Sequence, residues 1–328
     1  MSDTGNGSLR KAIAEANSNP GLDSIKFNIP PAGPKSIIPL SKLPNIVDPV
    51  IIDGTTQPGF VDKPIIEINC SGIGAFDAFD VFAPGTTIRG LVLNRKTVGG
   101  TCIVLWAGSD GSVVEGNFFG TDLTGTIRVG NVYNAIISES SNNRIGGTAV
   151  GARNVFAGHG NPAVALVAGA NNNVVQGNLF GTNVSGTVRL GNTQDGIIIT
   201  FGARDATIGG TTTAARNIIS GSGFSGIAIV GTGADSTQGH RILGNYIGTN
   251  ITGTADFGSS LAGIYVKDSP KNIIGGSAPG AGNIISGNDD HGVFLDLSGT
   301  TNTLCRATLS VRGSLDKRAL GTVVMGFW

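Results

Sequence analysis

The chain writes one phrase three times at long, regular intervals. It reads Gly-Asn-Phe-Phe-Gly-Thr-Asp-Leu-Thr-Gly from Gly116, Gly-Asn-Leu-Phe-Gly-Thr-Asn-Val-Ser-Gly from Gly177, and Gly-Asn-Tyr-Ile-Gly-Thr-Asn-Ile-Thr-Gly from Gly244. Two shorter phrases recur in step: Ile-Gly-Gly-Thr/Ser at Ile145, Ile208 and Ile274, and Arg/Gly-Asn-Val/Ile at Arg153, Arg216 and Gly282. The offsets run from 61 to 67 residues, so the repeat is a structural unit with small insertions. A period of this size constrains the fold more than any other feature, because one unit cannot bury its apolar face without a copy stacked on it.

Each unit divides by three into stretches of roughly 21–23 residues. Short β-rich runs punctuate them, among them Ala135-Ile-Ile137, Val164-Ala-Leu-Val167, Gly196-Ile-Ile-Ile199, Ile227-Ala-Ile-Val230, Gly263-Ile-Tyr-Val266 and Gly292-Val-Phe-Leu295, with Gly, Asn and Ser at both ends. That pattern reads as short strands. The glycine load excludes helix over the same ground, at about 1 kcal/mol for each interior glycine. The expected fold is all-β: a right-handed, single-stranded parallel β-helix of about a dozen coils, roughly 55–60 Å long. Its hand follows from the chirality of parallel crossovers. Asn117, Asn178 and Asn245, and likewise Asn154, Asn217 and Asn283, fall at equivalent corners and are expected to stack as amide ladders.

Composition narrows the function. Lys plus Arg equal Asp plus Glu at 22 each, and only 13% of residues are charged, so there is no electrostatic footprint for nucleic acid. Three scattered cysteines, Cys70, Cys102 and Cys305, give neither a disulfide framework nor zinc spacing. No apolar run is long enough for a membrane span, and no signal peptide opens the chain. No cofactor is expected, with a structural Ca²⁺ left open.

Ser8-Leu-Arg-Lys-Ala-Ile-Ala-Glu-Ala-Asn17 is the one convincing helix: Ser8 N-caps it, and Leu9, Ile13 and Ala16 share a face. An amphipathic helix before the first strand, Asp23–Ile29, reads as a solenoid cap. The chain divides into this cap with the first strands (1–45), the parallel β-helix (46–304) and a tail (305–328). The tail's composition changes abruptly, and it reads as a C-terminal cap or a non-native end.

Ser8-Leu-Arg with Ala12-Ile13 and Ala16-Asn17, Ile52-Asp-Gly-Thr-Thr-Gln-Pro-Gly59, and the repeated phrases together resemble one family over about residues 5–304. It is the class of bacterial secreted right-handed β-helix proteins with an N-terminal CSLREA-type segment. The resemblance implies the fold and a secreted or cell-surface location, and specifies activity poorly. Gly7 stands where the family has cysteine, and Cys70 where an acidic residue is common.

Residues that break the repeat are the candidates for chemistry, since ladder positions need no further explanation. The corner that reads Gly160-Asn-Pro162 and Gly223-Phe-Ser225 in the first two units becomes Asp289-Asp290-His291 in the third. Two acids and a histidine in one corner could supply a general acid and a base or nucleophile; a solvated turn is the simpler reading. Stacked corners place Asn161, Phe224 and Asp290 in one column, about 14 Å apart if three coils separate them. Asp195 replaces Asn134 and Ala262, and with Tyr133 and Gln194 could line a sugar groove, although Asp before Gly is ordinary turn chemistry. His240 stands where Asn173 stands in the approach to the second unit, after an insertion carrying Asp235. His240-Arg241 could meet an acidic substrate, or the histidine could only cap the bulge. Lys267 beside Asp268 is the nearest approach to a lyase base, with Tyr265 and Phe224 as stacking platforms. The long loops 120–131, 181–192 and 248–259 recur with similar polarity and would wall one side of a groove.

Gly158-His-Gly160, Asp289-Asp290 and Arg241-Ile-Leu243 echo the motifs of pectin-cleaving hydrolases in the wrong order and spacing. There is no Gly-x-Ser-x-Gly elbow, no His-Glu-x-x-His and no P-loop. The chain therefore reads as an extracellular protein acting on polysaccharide or glycan. A glycoside hydrolase using catalytic Asp289, Asp290, His291 and Asp195 is favoured, with substrate contacts from Tyr133, Gln194, Phe224, His240, Arg241, Tyr265 and Lys267. The alternatives are a polysaccharide lyase and a non-catalytic surface or adhesion module.

Overall fold

The computed structural model describes residues 3–232, 237–296 and 299–306. Asp235 and all but the first two residues of the tail lie outside them. Strands pair in parallel throughout, forming sheets of ten, nine and eight strands. The first sheet runs from Asp23–Lys26 to Leu304–Cys305, the second from Lys35–Ile37 to Ile284–Ile285, and the third from Phe79–Val81 to His291–Asp296. Successive strands of each sheet come from successive turns of the chain, so the fold is a right-handed parallel β-helix.

The coil is longer than the sequence pattern suggests. First-sheet strands start at residues 113, 144, 174, 207, 241 and 273, so each 61–67-residue unit winds two coils, not three. A ten-stranded sheet spans nine strand spacings, about 43 Å, shorter than expected. The reason lies in the corner asparagines. The two predicted Asn sets interleave into one column, Asn117–Asn154–Asn178–Asn217–Asn245–Asn283. From Asn154 onward each side-chain oxygen accepts the backbone N–H of the preceding asparagine in the column, at 2.9–3.3 Å, and Asn117 Oδ1 accepts from Leu91 N. Each of these amide nitrogens donates to a first-sheet backbone oxygen such as Ile145 O or Val175 O. Buried corner N–H groups that would otherwise be orphaned are thereby satisfied.

The bore is filled by aliphatic residues and a buried stack of Phe119, Phe156 and Phe180, with ring centroids 5.0 and 4.6 Å apart. A second, smaller core explains why the long phrase recurs only on alternate coils. Outward residues Val92, Phe118, Val155, Leu179 and Ile218 of the second sheet are buried under Leu123, Val184 and Ile251. These three residues sit on the recurring loops, which stack on one another through Val184 N to Gly125 O and Ile251 N to Gly186 O. The loops thus fold back on the second sheet, each covering two coils.

The helix Leu9–Ala16 caps the open end as expected: Ser8 Oγ accepts from Lys11 N at 3.2 Å, and Leu9, Ile13 and Ala16 are buried. The Asp53–Gly59 run is a staple. Thr56 Oγ1 accepts from Phe27 N, and the Gln57 amide bonds both Ile29 N and Ile29 O, tying the first coil to the second. Gly54 is required there, because a Cβ would sit 2.1 Å from Gly90 O. No helix among the described residues is long and apolar enough to cross a membrane.

Candidate functional site

The outer face of the third sheet gathers most of the chemistry-bearing residues. Its strands alternate, so that Phe79, Ile103, Ile136, Val164, Ile197, Ile227 and Ile264 point into the bore. Between them Asp80, Val104, Ile137, Ala165, Ile198, Ala228, Tyr265 and Phe294 form an outward column. Seven strand spacings separate Asp80 from Phe294, about 34 Å. The middle is apolar, and both ends carry aromatic and charged groups.

At the C-terminal end the face assembles five of the predicted residues. His291 stacks on Phe294 at 4.9 Å, and Phe294 stacks on Tyr265 at 5.6 Å. His291 Nδ1 lies 2.9 Å from Asp290 Oδ2 but off the line of an N–H···O bond. Lys267 stands 3.9 Å from Asp296. Asp289 and Asp290 are exposed.

Tyr133, Asn161, Gln194 and Phe224 occupy the column that ends at Asp290, with Tyr133 and Phe224 exposed. Two coils separate Phe224 from Asp290, about 10 Å rather than 14 Å, because the unit winds twice. Asp195 shares this edge of the sheet but lies three strands from His291, about 14 Å. Asp195 and Asp290 therefore cannot act as an acid pair, which needs about 5–9.5 Å. Asp195 accepts from Ser225 N at 2.9 Å, and burial pushes its pKa up to about 6.

Two predicted contacts lie elsewhere. Arg241 is exposed on the first sheet. His240 is fully buried at the corner entering that sheet, where its Nδ1 accepts from Ala206 N at 3.2 Å. Its own N–H donates to Asn272 Oδ1. It takes the ladder place that Asn143 and Asn173 fill in other coils, with its pKa lowered by burial to about 4, and no substrate reaches it.

The N-terminal end of the face carries a constellation that aligning the repeats did not reveal. Asp77 and Asp80 lie three residues apart at the first strand of this sheet, Phe79–Val81. Asp80 is buried, pairs with Lys42 Nζ at 2.6 Å and accepts from Trp106 Nε1 at 2.7 Å. Asp77 accepts from Thr101 N at 2.5 Å, and burial pushes its carboxyl above the usual range, with Asp80 adding to the shift. Trp106 stacks on exposed Phe82 at 5.8 Å and 4°. The available signal was the alternation Phe76-Asp-Ala-Phe-Asp-Val-Phe82, which precedes the first full unit and so has no copy to be compared with.

The remaining charge on this face is sparse. Over the eight strands and their immediate flanks the acids are Asp77, Asp80, Glu139, Asp195, Asp268, Asp289, Asp290 and Asp296, and Lys267 is the one lysine or arginine. Lys42 joins them from a neighbouring segment. Among the described residues no group of three or more His, Cys, Asp or Glu side chains is placed to hold a metal. A separate cleft of about 310 Å³, lined by Phe118, Thr148, Val150, Arg153 and Val184, lies over the second sheet and contains none of the predicted residues.

No family model matches the chain, and no curated protein sequence matches it. Among solved structures it is similar to the Dettilon tailspike protein, with 15% identity over 91% of this chain and 55% of that one, at a TM-score of 0.48. It is also similar to the A-module of the Azotobacter vinelandii mannuronan C-5 epimerase AlgE6, with 15% identity over 91% and 94% of the two chains, at a TM-score of 0.43. The chain spans about half the length of that tailspike protein.

Proposed function

We propose that the protein is an extracellular polysaccharide-binding protein whose third sheet receives an extended glycan along its outer face. The carrying observation is the Phe82–Trp106 platform set against the Asp77–Asp80 carboxyls, with a second aromatic group, Tyr265–Phe294–His291, about 34 Å along the same column. Sugar rings present apolar C–H faces and polar edges. Flat aromatic rings beside carboxylates match both.

A second reading, glycoside hydrolysis, is favoured by the contrast between the two acids. Asp80 pairs with Lys42 and Trp106, while burial raises the pKa of Asp77 and suits it to hold a proton. Binding without turnover is the primary reading. A lyase finds less support: Lys267 is tied to Asp296, and Arg241 is on another sheet.

Retention on immobilised polysaccharides tests the binding reading. Trp106→Ala should weaken retention at least tenfold with the fold intact by circular dichroism, and undiminished retention would remove the platform from the site. Reducing-end release abolished by Asp77→Asn or Asp80→Asn would establish hydrolysis. Release abolished only by Asp290→Asn would move the chemistry to the other end.

A further inference from the structure

We infer that the polymer lying on the third sheet is uncharged, and that the face rejects polyuronates and other anionic glycans. This inference rests on the binding reading above. The face and its flanks carry eight carboxylates and meet two lysines, and each lysine already stands against an acid: Lys42 on Asp80 at 2.6 Å and Lys267 on Asp296 at 3.9 Å. Glu139 and the exposed Asp289 have no cation against them among the described salt bridges. The face has no arginine, the side chain best suited to grip a carboxylate in a bidentate fork.

An anionic chain would carry a carboxylate on every sugar past this row. Charges along one face act together when their separation is near the Debye length, about 8 Å at physiological ionic strength. Asp289 and Asp290 are adjacent at one corner and act together within that length, whereas Glu139, five strand spacings away at about 24 Å, acts on the polymer separately. The chain as a whole is neutral, with 22 basic and 22 acidic residues, so the bias belongs to this face and not to the molecule. In the apolar centre Val104, Ala165 and Ala228 are buried, and the half-buried Ile137 and Ile198 offer nothing to an anionic group and accept the C–H surface of neutral sugars.

The test compares retention of the protein on immobilised neutral β-glucan and galactan with retention on polygalacturonate, at about 50 mM and about 500 mM salt. The expected result is at least tenfold stronger retention on one neutral polymer at low salt, with the gap narrowing at high salt. The double variant Glu139→Gln/Asp290→Asn should narrow it at low salt as well. Polygalacturonate retained as strongly as the neutral polymers at low salt, and lost in Trp106→Ala, would overturn the inference while leaving the binding face in place. Retention of no polymer would overturn both.

Discussion

His240 offers a quantitative test of the ladder. Its Nδ1 accepts from Ala206 N, so the proton of the neutral ring is on Nε2, which is buried without a partner. Protonating Nδ1 would set two N–H groups against each other in the dry corner, and burial lowers the pKa from 6.5 to about 4. A histidine with a lowered folded pKa costs nothing well above 6.5, where both states are neutral. As pH falls from 6.5 towards 4 the unfolded chain gains the proton and the folded chain does not, so stability is lost through that window. The linkage relation gives a loss of about 0.2 kcal/mol at pH 7 and about 2 kcal/mol at pH 5. His240→Asn restores the residue found at ladder positions Asn143, Asn173 and Asn272, and removes the titration. Measured by thermal melting at both pH values, the variant should gain about 3 °C on wild type at pH 5 relative to their difference at pH 7. His159 and Asp195 titrate in the same window but are common to both proteins and cancel. An equal difference at the two pH values would show that His240 is not a buried, neutral ladder member.

Other consequences follow from the same geometry. Asn178→Ala removes the acceptor of Asn154 N and the donors to Ile145 O and Asn217 Oδ1, so it should cost about 2–4 kcal/mol in denaturant unfolding. An exposed polar substitution such as Thr126→Ser should leave the midpoint nearly unmoved. Asp195→Asn should act oppositely to most core changes: because the folded pKa is raised to about 6, the carboxylate costs stability above that pH and the cost fades as pH falls towards 3.8. The variant should therefore be more stable than wild type by about 1–2 kcal/mol at pH 7 and equal to it near pH 4, as read by urea titration at each pH. Gly54→Ala drives a Cβ into Gly90 O and should lower the melting temperature by several degrees, whereas Gly85→Ala, where a Cβ meets nothing, should lower it less despite the positive φ.

Local sequence carried the winding because local chemistry enforces it. Asparagine at a corner satisfies the N–H of the next coil, glycine lets adjacent backbones approach, and a Ser-capped amphipathic segment closes the end. Those requirements read directly as Asn117 to Asn283, Gly54 and Ser8–Ala16. The number of residues per coil was not legible, because alternate coils share the Gly/Arg-Asn corner while only every second one carries the covering loop. Dividing the unit by its β-rich runs gave three coils, where the hydrogen bonds between corners give two.

The site depended on that count. Which side chains meet on the third sheet is set by how many residues each coil consumes, and an error there moves Asp195 or Asp290 by one strand spacing. Asp289, Asp290, His291, Tyr265 and Lys267 came together because they lie within two adjacent coils. The cluster of Lys42, Asp77, Asp80 and Trp106 draws on three successive turns of the chain, and nothing in the spacing of those residues announces it. Sequence alone thus determined that the chain winds, what its corners are made of and how its end is closed. The tertiary structure decided which carboxylate stands beside which lysine and which ring, because contacts between coils are set by the stacking register and not by distance along the chain.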